Sequence, residues 1–157
     1  MGVGKSSIGR RLAETLSLPF YDTDQEIAER IGCSVKEIVY YAGEEYFKTT
    51  EKKVLEELFR KYPVVISTGG DTFIDKELQK MILQNTITIS LNAPVDLIVE
   101  RISRHNNRPF LDGPDRAEIL TKLWQERNDI YQQAHINISC HELSHKEIVN
   151  NIIKALQ

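Results

Sequence analysis

The feature that most constrains this fold is a glycine-rich segment that leads directly into an amphipathic helix pattern. Gly4-Lys5-Ser6 supplies the last three fixed positions of the pattern G-x-x-x-x-G-K-[ST], whose first glycine would lie two residues before Met1. Apolar residues then recur at helical spacing from Ile8 to Leu16. Because a buried strand normally precedes such a loop, the sequence predicts an α/β fold whose first strand is absent or truncated.

The residue types in this segment predict a site for nucleotide phosphates. Backbone N–H groups of a glycine-rich turn form an anion-binding concavity, and the N-terminus of the following helix adds its dipole. Lys5 would place a positive charge on the β- and γ-phosphates, and the Ser6 hydroxyl would ligate Mg²⁺. The alternative is a disordered start with Ser6 as a helix cap. The predicted phosphate-binding residues are Gly2, Val3, Gly4, Lys5, Ser6 and Ser7.

Composition and charge narrow the class of protein. The chain has 157 residues, 41% of them hydrophobic and 27% charged, which fits one globular domain over 1–157. A net charge of −3 with scattered basic residues argues against a nucleic-acid or anionic-membrane partner. Cys33 and Cys140 have no metal-binding spacing and are expected to be free thiols. With no apolar run of membrane-spanning length and no signal peptide, we expect a cytoplasmic protein.

Strand and helix patterns alternate along the chain, without an internal repeat. This order predicts a parallel sheet flanked by helices, with ligands at the carboxyl ends of the strands. The predicted helices cover 4–17, 24–31, 35–41 after a cap at Ser34, 43–61, 94–103 and 116–134, with a last helix after Ser144; the predicted strands cover 18–21, 64–67, 86–91 and 136–138.

Two carboxylates, Asp22 and Asp24, follow the first of these strands. In phosphoryl transfer one carboxylate commonly holds Mg²⁺, and a second can accept the proton of the attacking hydroxyl. The alternative is that Asp24 caps the next helix and Asp22 is a solvated turn residue.

Two further segments each have a functional and a purely structural interpretation. Lys48 has Glu44 and Glu51 at helical spacing, which is typical of a surface ion-pair ladder. Gly69-Gly70 follows a strand, and it is either a tight turn or backbone placed to donate N–H groups to a ligand.

The polar segment 104–115 is rich in turn-forming residues and contains Arg108. An arginine on a mobile segment can close over a transferring phosphoryl group as part of a lid; otherwise Arg108 is a solvated loop residue. Arg127 and Tyr131 lie one helical turn apart, and the structural interpretation is a stacked pair.

In their order and spacing, these motifs resemble those of bacterial shikimate kinases over nearly the whole chain. The resemblance implies a P-loop NTPase fold of the nucleoside-monophosphate-kinase type, with a five-stranded parallel sheet in the order 2-3-1-4-5. It also implies MgATP-dependent phosphorylation of the 3-hydroxyl of shikimate, on the route to aromatic amino acids, and we expect a monomer. The segments that carry the resemblance are Gly2-Val3-Gly4-Lys5-Ser6, Asp22-Thr23-Asp24, Gly43-Glu44 through Phe47-Lys48 to Glu51, Ser67-Thr68-Gly69-Gly70, Arg108-Pro109-Phe110-Leu111, and Arg127 through Tyr131 to Ala134.

The resemblance implies a role for each matching position. Lys5 and Ser6 would handle the phosphates and Mg²⁺, with Asp22 assisting the metal. Asp24 would bind the shikimate hydroxyls and is the candidate base. The other implied roles are backbone contact with the substrate at Gly69 and Gly70, binding of its carboxylate by Lys48 and Arg127, lid closure by Arg108 and adenine stacking by Arg101.

The chain departs from the family pattern at several positions. The family has arginine at Lys48, and lysine lacks the planar fork that binds a carboxylate through two parallel bonds. The family has a third glycine at Asp71, where an aspartate adds a β-carbon and a negative charge near an anionic substrate. Val39 replaces a usual aromatic residue, and the absent strand would lie at the centre of the sheet. These departures predict reduced activity.

The sequence leaves two alternatives to an active shikimate kinase open. One is a catalytically impaired binding protein of the same fold, and the other is a related small-molecule kinase such as gluconate kinase. The presence of Lys5, Ser6, Asp22, Asp24 and Arg127 argues against loss of the site. Arg127 with the Gly69-Gly70 turn favours shikimate over gluconate.

Overall fold

The computed structural model describes residues 3–98 and 116–157 of the chain. Within those residues, no helix is long and apolar enough to cross a membrane. The chain forms two compact units: one is Ser6–Thr86, and the other combines Met1–Lys5 with Ile87–Gln157. The predicted lid over 104–115 lies outside the described residues, as do Gly2, Arg101 and Arg108.

The Ser6–Thr86 unit is built around a pair of parallel strands. β1 (Phe20–Asp22) pairs with β2 (Val65–Ser67) in a register that sets Asp22 beside Ser67. Because the strands are parallel, the segments that follow Asp22 and Ser67 leave the pair at the same end. The helices are α1 (Lys5–Leu16), α2 (Thr23–Ile31), α3 (Val35–Ala42), α4 (Glu44–Phe59) and α5 (Lys76–Asn85).

An apolar core joins α2, α3 and α4 to these strands. Burial of each large apolar side chain contributes about 1.5–3 kcal/mol. Phe47 packs against this core, so the next residue on α4, Lys48, points outward with 47% of its side chain exposed. The buried residues of the core are Ile27, Ile38, Val54 and Leu58, with Tyr21, Phe47 and Ile66 packed against them.

The other unit has its own pair of parallel strands. β3 (Ile89–Asn92) pairs with β4 (Ile136–Ser139). The helices of this unit are α6 (Arg116–Tyr131) and α7 (His145–Ala155), and residues 95–98 are also helical. Both strand pairs are neighbours in the order that the resemblance implies, while the five-stranded order as a whole stays a prediction.

Side-chain caps begin several of the helices. Ser34 and Ser144 each form a capping box, as predicted for the helices that follow them. Asp22 caps α2, and Asp75 caps α5, by accepting backbone N–H groups of the first turn. The interpretation of Asp24 as the cap of α2 is wrong, because Asp22 has the extended backbone of a cap and Asp24 lies inside the helix.

Three elements differ from the sequence prediction. The helix α5 is not among those that the pattern predicts. The strand predicted at 86–91 is β3 at Ile89–Asn92, because the N–H of Thr86 still bonds to the Ile82 carbonyl at the end of α5. The helix predicted to reach 134 ends at Tyr131, since the N–H groups of Gln133 and Ala134 turn back to Ile130 and Tyr131.

Candidate active site

Three oxygen-bearing side chains of the Ser6–Thr86 unit meet where α1 begins and the two strands end. Ser6 lies in the first turn of α1, and its Oγ donates a hydrogen bond of 2.6 Å to Asp22 Oδ2. Ser67 Oγ, at the end of β2, lies 3.4 Å from Ser6 Oγ. The structure therefore brings together Ser6 and Asp22, which the sequence predicts as magnesium ligands. The sequence prediction does not include Ser67 as a site residue, although the pattern places it at the end of a strand.

The oxygen atoms at this point fit Mg²⁺. Hydroxyl and carboxylate oxygens are hard ligands, and Mg²⁺ usually takes one or two from the protein and the rest from water and substrate phosphates. Among residues 3–98 and 116–157, no cluster of three or more His, Cys, Asp or Glu side chains is placed to hold a metal ion. An ion held by Ser6 and Asp22 would take its remaining ligands from water or from substrate phosphates.

The Asp22 side chain has a fixed orientation because its two carboxylate oxygens have different hydrogen-bond partners. Oδ1 accepts the backbone N–H groups of Asp24 at 3.2 Å and Gln25 at 3.4 Å, which are the free donors at the start of α2. Oδ2 is left to face Ser6. The interpretation of Asp22 as a solvated turn residue is therefore wrong, since helix α2 holds its carboxylate against the start of α1.

Asp24 lies in the first turn of α2, against the turn that follows β2. A β-carbon built on Gly69 would lie 3.1 Å from Asp24 Oδ1 and 3.2 Å from Thr72 Oγ1. Both distances are shorter than an ordinary contact, so a side chain at position 69 would require Asp24 and Thr72 to shift. Gly69 thus leaves room for the Asp24 carboxylate, and the candidate base lies beside the turn that is predicted to contact substrate.

Glu51 is buried, contrary to its interpretation as one member of a surface ion-pair ladder. Only 3% of the residue is exposed, and its Oε1 accepts a hydrogen bond of 2.6 Å from Thr72 Oγ1. Burial raises the pKa of Glu51, the Thr72 hydrogen bond lowers it, and the charges of Asp24, Asp71 and Asp75 raise it further. Glu51 therefore ties α4 to the turn that carries Gly69.

Lys48 has a partner that the sequence prediction did not include. Its Nζ lies 3.7 Å from Oδ2 of Asp75, the residue that caps α5. One turn further along α4, Lys52 forms an ion pair with Glu77. A helix-cap signal before the Lys76-Glu77-Leu78 run was present in the sequence for Asp75, but the pairing with Lys48 depends on how α4 and α5 pack.

Four further predicted residues lie in the described part of the chain. Gly4 has a φ of 84°, a left-handed conformation that glycine adopts readily, and Val3 is buried. Lys5 is the first residue of α1, and Arg127 lies on α6 one turn before Tyr131. The backbone at Gly4 fits a phosphate-binding turn, while the roles of Lys5 and Arg127 stay predictions.

A glycine-lysine-serine loop that opens a helix, with a carboxylate at the end of a parallel strand, defines the class of P-loop phosphotransferases. The family model for shikimate kinase matches residues 1–157. A curated shikimate kinase from Bartonella quintana is 38% identical over 157 residues, which are 100% of this chain and 75% of that protein. One from Zymomonas mobilis is 41% identical over 156 residues, covering 99% and 89%. The chain belongs to the shikimate kinase family.

Solved structures agree with this assignment. Shikimate kinase from Acinetobacter baumannii, in complex with shikimate, superposes with a TM-score of 0.90 at 32% identity, over 99% of this chain and 88% of that one. A gluconokinase from Sinorhizobium meliloti superposes with a TM-score of 0.57 at 15% identity, over 99% and 86%. The second likeness shows a shared fold alone. The predicted P-loop NTPase fold and the predicted family are both confirmed.

Proposed function

We propose that this protein transfers the γ-phosphoryl group of MgATP to the 3-hydroxyl of shikimate. Its family makes it an ATP-dependent small-molecule kinase. The observation that carries the proposal is the arrangement at the ends of β1 and β2, where Asp24 lies beside Gly69 in the same unit as the Ser6–Asp22 pair. A relative solved in complex with shikimate supports the choice of substrate.

On the nucleotide side, the loop residues up to Ser7 would bind the phosphates through backbone N–H groups, with Lys5 adding a positive charge. Ser6 and Asp22 would hold Mg²⁺, which when bound neutralises charge on the β- and γ-phosphates. Asp22 is suited to this task because its capping bonds keep Oδ2 turned toward Ser6. Arg101 and Arg108 complete the proposed nucleotide site as the adenine-stacking and lid arginines.

On the acceptor side, Asp24 would hold the substrate hydroxyl and take its proton. The hydroxyl oxygen forms a bond to the γ-phosphorus while the bond from that phosphorus to the bridging oxygen of ADP breaks. The proton passes to the Asp24 carboxylate, and ADP leaves. Since Gly69 has no side chain to crowd the carboxylate, Asp24 can lie beside the turn that is proposed to contact the substrate.

The substrate carboxylate requires positive charge and N–H donors. Lys48 and Arg127 would supply the charge, and the backbone of Gly70 would supply a donor. We further propose that the protein acts as a cytoplasmic monomer.

An assay of ADP release with and without shikimate tests the proposal. We expect release that depends on both shikimate and Mg²⁺, with no comparable release when gluconate replaces shikimate. Binding of shikimate and ATP by calorimetry without turnover would support a catalytically impaired binding protein, and release with gluconate alone would identify a different small-molecule kinase.

A further inference from the structure

Two ion pairs join α4 to the start of α5. Lys48 and Lys52 lie one turn apart on α4, while Asp75 and Glu77 lie at the N-terminus of α5. Lys48 pairs with Asp75, and Lys52 pairs with Glu77. Each pair joins a lysine of α4 to a carboxylate at the start of α5. They differ in one respect that matters for function, because the first pair involves the lysine proposed to bind the substrate carboxylate.

The carboxylate of Asp75 is held in place by the helix that it caps. Oδ1 accepts the backbone N–H groups of Glu77 at 3.0 Å and Leu78 at 3.1 Å. Oδ2 lies 3.7 Å from the Nζ of Lys48. The Asp75 side chain is only 27% exposed, so its carboxylate is held close to Lys48 and does not turn into solvent. An aspartate in this position faces Lys48 whether or not a substrate is present.

The charge of Asp75 also acts within the candidate site. Asp24, Asp71 and Asp75 all raise the pKa of the buried Glu51 by their negative charges, so all three lie close enough to affect one carboxyl group. Among the described residues, Lys48 forms an ion pair with Asp75, and the Asp75 charge also contributes to the raised pKa of Lys52. An anionic substrate that approaches Lys48 therefore meets Asp75 as a neighbour of the same sign.

We propose that Asp75 competes with the acidic substrate for Lys48 and so sets the apparent affinity for that substrate. The inference rests on the proposed function, in which Lys48 binds the substrate carboxylate. A pair at 3.7 Å with half of the lysine side chain in solvent is weak enough to be broken by a ligand. Each binding event must nevertheless replace or share the Asp75 interaction, and this raises the KM for the acid without changing the phosphoryl-transfer step.

The substitution Asp75→Asn tests this competition with little disturbance of the fold. Asparagine caps helices about as well as aspartate, so Oδ1 keeps its two N–H partners while the charge opposite Lys48 is lost. We expect the KM for shikimate to fall by about three- to tenfold, with kcat and the KM for MgATP within about twofold of the wild type. Glu77→Gln is the matched control, because it removes the same charge from the same helix turn opposite Lys52, and it should leave all three constants unchanged.

A double variant separates competition for Lys48 from a general effect of charge. When Asp75→Asn is added to Lys48→Met, the KM for shikimate should fall by less than about twofold relative to Lys48→Met alone. An unchanged or increased KM for shikimate in Asp75→Asn would overturn the inference while leaving the proposed function intact. An equal fall in this KM when Asp75→Asn is added to Lys48→Met would do the same. If the wild type releases no ADP in response to shikimate, the proposed function fails and the inference fails with it.

Discussion

At the scale of single residues, two residues in the turn after β2 have opposite effects on the candidate site: Gly69 leaves room for a carboxylate, and Asp71 adds negative charge. Gly69 leaves room for the Asp24 carboxylate, whereas Asp71 adds a negative charge that acts on the same group of carboxyls. Both residues lie in one short turn, so the two effects can be separated by single substitutions.

Gly69→Ala should impair catalysis more than folding. The new β-carbon would lie 3.1 Å from Asp24 Oδ1, so the candidate base must move, and a shift of this kind can lower kcat/KM by about tenfold or more. Gly32→Ala is the control: it has a left-handed φ of 82° with no neighbour within 4 Å of a β-carbon. It should destabilise the fold by about 1–2 kcal/mol and spare kcat/KM. Steady-state kinetics and urea unfolding of both variants measure the two effects, and normal kinetics in Gly69→Ala would contradict the prediction.

Removal of the Asp71 charge should improve binding of an acidic substrate. Asp71→Asn keeps a side chain of the same size, while Asp71→Gly also removes the β-carbon, so the two variants separate charge from bulk. We expect both to lower the KM for shikimate by about severalfold, because a like charge near an anionic ligand opposes binding. If neither variant changes the kinetic constants, Asp71 has no part in substrate discrimination.

At the scale of elements, the contact between α4 and the turn after β2 depends on a buried carboxyl group. Glu51 points inward from α4 and accepts the Thr72 hydroxyl hydrogen bond. Lys48, three positions earlier on the same helix, points outward to Asp75. Helix α4 therefore connects the buried support of the turn to the exposed cation of the proposed substrate site.

The raised pKa of Glu51 makes the stability of the native state depend on pH. The pKa lies above its ordinary value of 4.5, chiefly because of burial. The native state then binds this proton more tightly than the unfolded chain does. Its contribution to stability is complete below pH 4.5 and is lost as the pH rises through the raised pKa. Glu51→Gln should remove this loss, so the stability of the variant relative to the wild type should increase from acid toward neutral pH.

Urea unfolding at a series of pH values measures this difference. The other acidic residues are the same in both proteins, so their contributions to stability largely cancel in the comparison. Glu44→Gln, which neutralises an exposed carboxylate on the same helix, should follow the wild-type profile. Parallel curves for Glu51→Gln and the wild type would show that Glu51 does not carry the pH dependence.

At the scale of the whole molecule, the Ser6–Asp22 pair should couple nucleotide binding to stability. A ligand that binds only the native state at about 100 times its Kd stabilises by about 2.7 kcal/mol. We expect ATP to raise the Tm of the wild type more with Mg²⁺ than with a chelator. Ser6→Ala should lose most of this Mg²⁺-dependent difference, because one of the two proposed metal ligands is gone.

Thermal unfolding provides this measurement without any need for turnover. Thr15→Ala is the control, since Thr15 lies on the same helix and its hydroxyl bonds only to the Arg11 carbonyl among the contacts described. A full Mg²⁺-dependent shift in Ser6→Ala would contradict the assignment of Ser6 as a ligand.

Local sequence signals determined the phosphate-binding loop, two helix caps and the alternation of strands and helices. The glycine-lysine-serine loop, the serine caps at Ser34 and Ser144 and the alternation of strands and helices each involve residues within a few positions of one another. Backbone hydrogen bonding and helix capping operate over that range, so these features can be read from the sequence. The same signals, in their order, also identified the family.

Only the tertiary structure decided which side chains are buried and which partners they have. Thr72 and Glu51 are 21 positions apart in the sequence, and neither the Lys48–Asp75 pair nor the contact of Asp24 with Gly69 has a local signature. Helical spacing predicts that Glu51 lies beside Lys48, but it does not indicate that Glu51 faces inward and Lys48 outward. That choice depends on the packing of α4 against α2, α3 and β2, because burial is a property of the assembled core and not of the chain alone.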